Sequence, residues 1–249
     1  MTKVRLLPLI RSLAPAQGQE AHPWLQATYR GRSTIVILVA LLGLLLSVAD
    51  TQPPFTIARL QYSGGGDWYS DPSSLPNLLR FLNQHTRINA AEEEAQVQIA
   101  DEELFSYPYI YMTGHGNVAF SAEEAARLRH YLEAGGFLHA DDNYGIDESF
   151  RREMRKVFPS AKWVELPADH PLFSCHFKLP DGLPKVHEHD GKRPQALALF
   201  VDKRIAVLYT YEADLGDGWE DPHVHDNPET RRRAALEMGA NIAVWALSR

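Results

Sequence analysis

Imidazoles occur in pairs two residues apart at "HEH", His187 and His189, and at "HVH", His223 and His225. On an extended backbone, positions i and i+2 point to one side, so each pair can offer two nitrogen donors to a single ion. Carboxylates such as Asp190, Asp221 or Asp226 could complete a tetrahedral set for zinc or a similar divalent metal. The plainer alternative is a pair of solvated polar loops, because only the spacing speaks for a metal. Nucleophilic chemistry has less to stand on. A strand, a sharp turn and a helix are expected at "YMTGHGNVAFSAEE", the kind of elbow where hydrolases place a nucleophile, but His115 stands there and neither Ser nor Cys does. The single cysteine, Cys175, follows no such elbow and reads as an idle thiol. It also leaves the fold without an intrachain disulfide.

A second set of polar residues is defined by position. In open α/β sheets, ligands sit beyond the carboxyl ends of the strands. The residues following the expected strands are Gly64-Gly65-Gly66-Asp67-Trp68-Tyr69, then Gly114-His115-Gly116-Asn117, then His139, Asp141 and Asp142, then "EADLGDGWEDPHVHD" from Glu212 to Asp226. Each segment has an ordinary reading as a turn or a helix cover. "GGGDWY" breaks the dinucleotide fingerprint at Tyr69, no Gly-Lys-Ser/Thr follows it, and "DLGDGWED" lacks the register of an EF-hand loop. Their shared position argues for one crevice, with the glycines letting Asp67, Trp68 and Tyr69 fold over it.

The elements that must position these residues alternate short apolar runs with amphipathic helices, which predicts a mostly parallel sheet with helices on both faces. Strands are expected at 55–62, 97–100, 107–114 and within 135–142. Leu75, Leu78, Leu79 and Leu82 mark a helix from about Ser74, and Ser121 with Glu124 forms a capping box ahead of Ala125, Leu128, Tyr131 and Leu132. A short helix at 147–157 precedes irregular sequence over 159–195. "ALALFV" and "RIAVLYTYE" flank Asp202-Lys203 as a hairpin, and a last helix enters at Asn227-Pro228 and ends near Leu247.

Charge is unevenly spread. Residues 1–32 hold Lys3, Arg5, Arg11, Arg30 and Arg32 against Glu20 alone, yet the 249-residue chain has a net charge of −7, so the remainder is strongly acidic and poorly suited to nucleic acid. Residues 33–49, "STIVILVALLGLLLSVA", carry no charge and read as a transmembrane anchor or a signal-peptide core, with Ser47 and Ala49 suited to cleavage. Either way 1–32 is a cytoplasmic basic leader and 50–249 an exported α/β domain, periplasmic or outside the cell, and secreted if the leader is cleaved.

Taken together, "GGGDWY", "TGHG" with its following helix and "GGFL", "DHPLF" at 169–173, "DLGDGWE" at 214–220 and "MGANIAVWAL" resemble a bacterial group, domain of unknown function forty-one fifty-nine, over roughly 53–247. The resemblance implies a flavodoxin-like sheet similar to class I glutamine amidotransferases and trehalose-utilisation-type proteins. It also implies an export signal and gene neighbours that encode a MoxR-type ATPase and von Willebrand A-domain membrane proteins. It points to Asp67, Trp68, Tyr69, His115, Asp141, Asp142, His170, Asp214, Asp217 and Trp219 as motif positions and brings no established activity. Glutamine hydrolysis does not follow, since the elbow cysteine of that class would fall at His115. The leading expectation is a non-catalytic domain that binds a polar ligand or an envelope partner, with Trp68, Tyr69 and Trp219 stacking and Asp67, Asp142 and Asp217 accepting hydrogen bonds. The alternatives are a metal-dependent hydrolase using the His/Asp cluster and an assembly component of a cell-envelope complex.

Overall fold

Alternation along the strands sorts their side chains into two cores. Ile57, Tyr109, Tyr111, Phe137 and Leu208 point to one face, whereas Ala58, Leu60, Ile110, Leu138, Val207 and Tyr209 point to the other. In the computed structural model, which describes residues 53–248, these strands form one seven-stranded sheet of order β2-β1-β3-β4-β7-β6-β5. The strands are β1 (Ala58–Gln61), β2 (Ala95–Gln98), β3 (Tyr109–Met112), β4 (Phe137–Asp141), β5 (Val164–Glu165), β6 (Gln195–Val201) and β7 (Arg204–Tyr211). The first five in spatial order run parallel, β6 pairs antiparallel with β7, and β5 pairs antiparallel with β6. The parallel part follows the flavodoxin-like order, with β7 in the fifth position.

Helix α1 (Ser74–His85) and helix α6 (Glu229–Leu247) bury Leu75, Leu78, Leu79, Met238 and Ile242 on the first face. Helices α2 (Ala122–Glu133) and α3 (Asp147–Val157) bury Leu128, Leu132, Phe150 and Met154 on the second. The capping box at Ser121 is present in both directions. Glu124 N donates to Ser121 Oγ at 3.1 Å, and Ser121 N donates to Glu124 Oε2 at 2.7 Å. The β6–β7 hairpin turns on Asp202 and Lys203, whose φ values are 48° and 68°. Positive φ at both central residues matches the twist of the flanking strands.

Strands β1 and β3 are shorter than the expected 55–62 and 107–114, β5 falls in the stretch read as irregular, and two further boundaries shift. Strand β2 begins two residues early, because Ala95 pairs with Ala58 in register, and Ile99 is buried beyond its end. Pro228 stands at the N-cap of α6 rather than just inside it, and the Asn227 side chain instead donates to Asp217 O at 3.5 Å. The basic leader and the charge-free run at 33–49 lie outside the described residues. Among the described residues, no helix is long and apolar enough to cross a membrane.

Candidate metal centre

All five parallel strands point their carboxyl ends to one edge, so the loops after β1, β3, β4 and β7 must meet there. Two groupings form. The first joins the loop after β1 to the loop after β3. Gly66 N donates to Asn117 O at 3.1 Å and Asp67 N to His115 O at 3.2 Å. A Cβ on Gly64 would lie 2.6 Å from Asn117 O, and one on Gly66 would lie 2.6 Å from His115 O. Gly64 and Gly66 are therefore required by two backbones packed against each other, rather than by an open approach to a ligand. Asp67 then accepts from the His115 backbone N–H through Oδ1 and faces His115 Nδ1 at 3.0 Å through Oδ2. Trp68 is partly buried against the second core, and Tyr69, 64% exposed, meets it edge to face.

The second grouping gathers buried carboxylates and three imidazoles. After β7 the chain forms two short helices, α4 (Leu215–Trp219) and α5 (Pro222–His225), preceded by Asp214 in a left-handed conformation at φ 54°. Asp214 is fully buried; its Oδ2 lies 2.9 Å from His189 Nε2 and 3.6 Å from His187 Nδ1. Its Oδ1 is buried without a hydrogen-bond partner. Asp217 faces His187 Nδ1 at 2.8 Å with Oδ2 and His225 Nε2 at 3.1 Å with Oδ1. Glu220 Oε2 lies 3.0 Å from the same His225 nitrogen, while its Oε1 accepts from Ser73 N and Ser73 Oγ. Asp71, from the loop after β1, closes the group, its Oδ2 accepting from Asn143 Nδ2 at 3.0 Å. Three sets of donors lie within 4.8 Å of one another: His187, His189 and Asp214; Asp71, Glu220 and His225; and Asp71, Asp214 and Asp217.

Asp141 orients this grouping from beneath. It accepts from the Thr210 hydroxyl, from Gly216 N at 2.7 Å and from Tyr111 Oη at 3.3 Å, and so ties the start of α4 to the sheet. A Cβ on Gly216 would sit 2.7 Å from Asp71 Oδ2 and 3.0 Å from Tyr111 Oη, so only glycine lets α4 approach this closely. Arg59, buried beneath the loop after β1, donates to Ser70 O at 2.7 Å and Asp71 O at 3.1 Å. Its direct ion-pair partner is Glu94, at 2.6 Å, and its charge reaches Asp71 only through space.

Crowding shows in the carboxylates. Burial, then the neighbouring Asp217, Glu220 and Asp141 charges, pushes Asp71 up to about 8. Burial and then Asp217 push Asp214 far above the carboxylate range. Burial raises Asp141 to about 6 despite its hydrogen bonds. Backbone strain collects at the same edge. Outside the hairpin turn, the described non-glycine residues at positive φ are Asp71, Tyr144, Glu212, Asp214 and Asp226, and all stand in edge loops. Beside the cluster, the Tyr144 ring stacks on His189 at 5.1 Å and borders a cavity of about 340 Å³ that Asp142, Lys192, Tyr211 and Glu212 also line. No cluster residue lines this cavity, nor one of similar size near Leu166 and Phe173.

Of the residues singled out from the sequence, the structure brings Asp214, Asp217, His187, His189 and His225 into the cluster, with Asp141 supporting it and Asp142 in the neighbouring cavity. Asp67 and His115 form their own pair. Trp219 is fully buried and donates from Nε1 to Ala235 O at 2.8 Å, so it is part of the core and has no open face for stacking. His170 accepts from Leu172 N at 3.2 Å to cap a 3-10 turn and packs on Trp245. His223 is exposed because α5 is helical. Positions two apart on a helix point to opposite sides, unlike on a strand. Sequence reasoning missed Asp71 and Glu220. A usable signal for Glu220 was its i,i+3 spacing from Asp217, which sets both carboxylates on one side of a helical turn.

The chain matches no curated protein. The family described as domain of unknown function (DUF4159) matches residues 56–247, which include every residue of both groupings, and the chain belongs to that family.

Proposed function

We propose that this domain binds a divalent metal in the cluster of Asp71, Asp214, Asp217, Glu220, His187, His189 and His225 and uses it to activate water for hydrolysis of a polar ligand held along the carboxyl edge. The observation that carries the reading is that nitrogen and carboxylate donors from three separate loops gather into three neighbouring sets, beside a buried Asp214 oxygen, Oδ1, that has no hydrogen-bond partner. Carboxylates gathered out of water without a matching cation are costly, and a bound divalent ion removes that cost. A mixed imidazole and carboxylate set suits zinc, manganese or ferrous iron better than calcium or magnesium. The cavity beside His189 offers Tyr144 as a wall and Asp142 and Glu212 as acceptors for the ligand.

Elemental analysis of the purified full-length chain tests this directly. A stoichiometric transition metal is expected, and Asp214→Asn should lose it. A wild-type chain that stays metal-free after incubation with zinc and manganese would remove the proposal.

The second reading, a non-catalytic polar-ligand module, draws on Tyr69 and Tyr144, which are both exposed at this edge. Their rings offer aromatic faces on which a ligand could stack. Kinship of fold with class I glutamine amidotransferases belongs to the proposal too, with His115 at the elbow in place of a thiol nucleophile. So do export, tethering through 33–49 and docking to envelope partners, which fractionation of cells carrying the tagged chain would test.

A further inference from the structure

Within the reading of the cluster as a metal centre, the geometry points to two ions rather than one, bridged by the carboxylate of Asp217. Its two oxygens face different imidazoles: Oδ2 lies 2.8 Å from His187 Nδ1 and Oδ1 lies 3.1 Å from His225 Nε2. Those imidazoles belong to different donor sets, His187 with His189 and Asp214, and His225 with Asp71 and Glu220. Ligands at right angles around an ion, at bonds of about 2.1 Å, stand ~3 Å apart, which is the spacing found on each side of Asp217. The His187 and His225 rings are 6.0 Å apart between centroids. Taking each nitrogen together with its own Asp217 oxygen and its own partners as one coordination shell assigns the two imidazoles to two ions. A carboxylate that binds one ion through each oxygen holds them at the ~3.5–4 Å typical of two-metal hydrolytic sites.

Charge leads to the same number. Asp71, Asp141, Asp214, Asp217 and Glu220 are all buried, and the imidazoles must be neutral to act as ligands. The nearby arginines form their ion pairs outside the donor sets, Arg59 with Glu94 and Arg232 with Glu229, although Arg232 also donates to the Glu220 backbone carbonyl. With all five ionised, the bound metal having displaced the protons that burial favours on Asp71 and Asp214, a single divalent ion leaves three negative charges in a buried site, whereas two leave one. Asp214, fully buried and with Oδ1 unpartnered, adds an oxygen beyond those already facing an imidazole. In such a site one ion generates the attacking hydroxide from bound water, and the other stabilises the oxygen on which negative charge develops, with the released proton passing to solvent.

The test loads the full-length chain with manganese and reads stoichiometry by elemental analysis and coupling by electron paramagnetic resonance. Two ions per chain with an exchange-coupled spectrum are expected for the wild type. Glu220→Gln should fall to one uncoupled ion, held by His187, His189 and Asp214, and Asp217→Asn should lose the coupled signal. Circular dichroism separates a folded variant from a collapsed one, and Glu220→Gln, the milder change, serves if Asp217→Asn fails to fold. One uncoupled ion in the wild type overturns the two-ion inference and leaves the metal reading standing, whereas no bound ion overturns both. Two uncoupled ions in the wild type, or a coupled pair that persists in Glu220→Gln, overturns the bridging arrangement.

Discussion

The carboxyl edge of this sheet carries two histidine–aspartate groupings made of the same residue types, and they differ in burial. Asp67 and His115 are an even pair at the surface, with side chains 35% and 51% exposed, held by the backbone contacts that the glycine-rich loop permits. The cluster at Asp214 is uneven, with more carboxylates than imidazoles, and most of it is sealed from water. Water screens the first grouping, so its partners need nothing further. The buried carboxylates of the second have no such screen, and the proposed metal would supply the positive charge that water does not. The residue types alone therefore identify neither site; the depth at which the fold sets them decides what chemistry they require.

Arg59 offers the strongest way to break this contrast. It is a buried cation directly beneath the loop that carries Asp71, yet it holds the backbone of Ser70 and Asp71 and pairs its charge with Glu94. Arg59→Met should cost about 3–5 kcal/mol in urea denaturation, because Glu94 is left as an unpaired, largely buried charge. The same variant should weaken metal binding by releasing that loop. A loss under about 1 kcal/mol with unchanged metal content would show that the loop is held by other means.

His139 sharpens the comparison from the other side, as an imidazole buried under the same edge without a carboxylate partner of its own. It lies 2.8 Å from Tyr109 Oη and 2.9 Å from Thr210 Oγ1, and burial depresses it to about 3. The unfolded chain takes up a proton near pH 6.5 and the folded chain does not. Its stabilising contribution is thus complete above about pH 6.5 and is lost as pH falls toward about 3. The unfolding free energy of the wild type relative to His139→Asn should drop by ~1.4 kcal/mol per pH unit below about 6.5, or about 2 kcal/mol by about pH 5. Taking the difference cancels Asp141 and Asp142, both near 6, whose raised values act in the opposite direction. A difference independent of pH would mean that His139 is charged in the fold.

Much of this edge could be read from the chain because strand alternation, the Ser121 capping box and the Asp202-Lys203 turn are local signals. Once the strands are parallel, their carboxyl ends must share an edge. What could not be read is depth. Asp71 lies just past "GGGDWY" with no local sign of depth, and only the packing of α4 against the loop after β1 makes it a buried carboxylate. "HVH" has the spacing of a strand but folds as a helical turn after Pro222, which keeps His225 and turns His223 out. Trp219 reads from the sequence as a ligand-stacking face because aromatic residues beside acids often are, yet the tight contacts of Gly218 and Gly239 draw its helix into the core.

The smallest expected effect belongs to the surface pair, and it tests whether that pair stands apart from the cluster. Asp67→Asn removes the charge facing His115 while keeping an oxygen that can accept the His115 backbone N–H. Exposed ion pairs contribute ~0–1 kcal/mol, so the unfolding free energy should shift by no more than that amount. Metal stoichiometry should stay at the wild-type value, since neither Asp67 nor His115 belongs to any of the converging donor sets. If Asp67→Asn instead released metal, the two groupings would be one functional unit, and the contrast between screened pair and sealed cluster would have to give way to a single site spanning the loops after β1, β3 and β7.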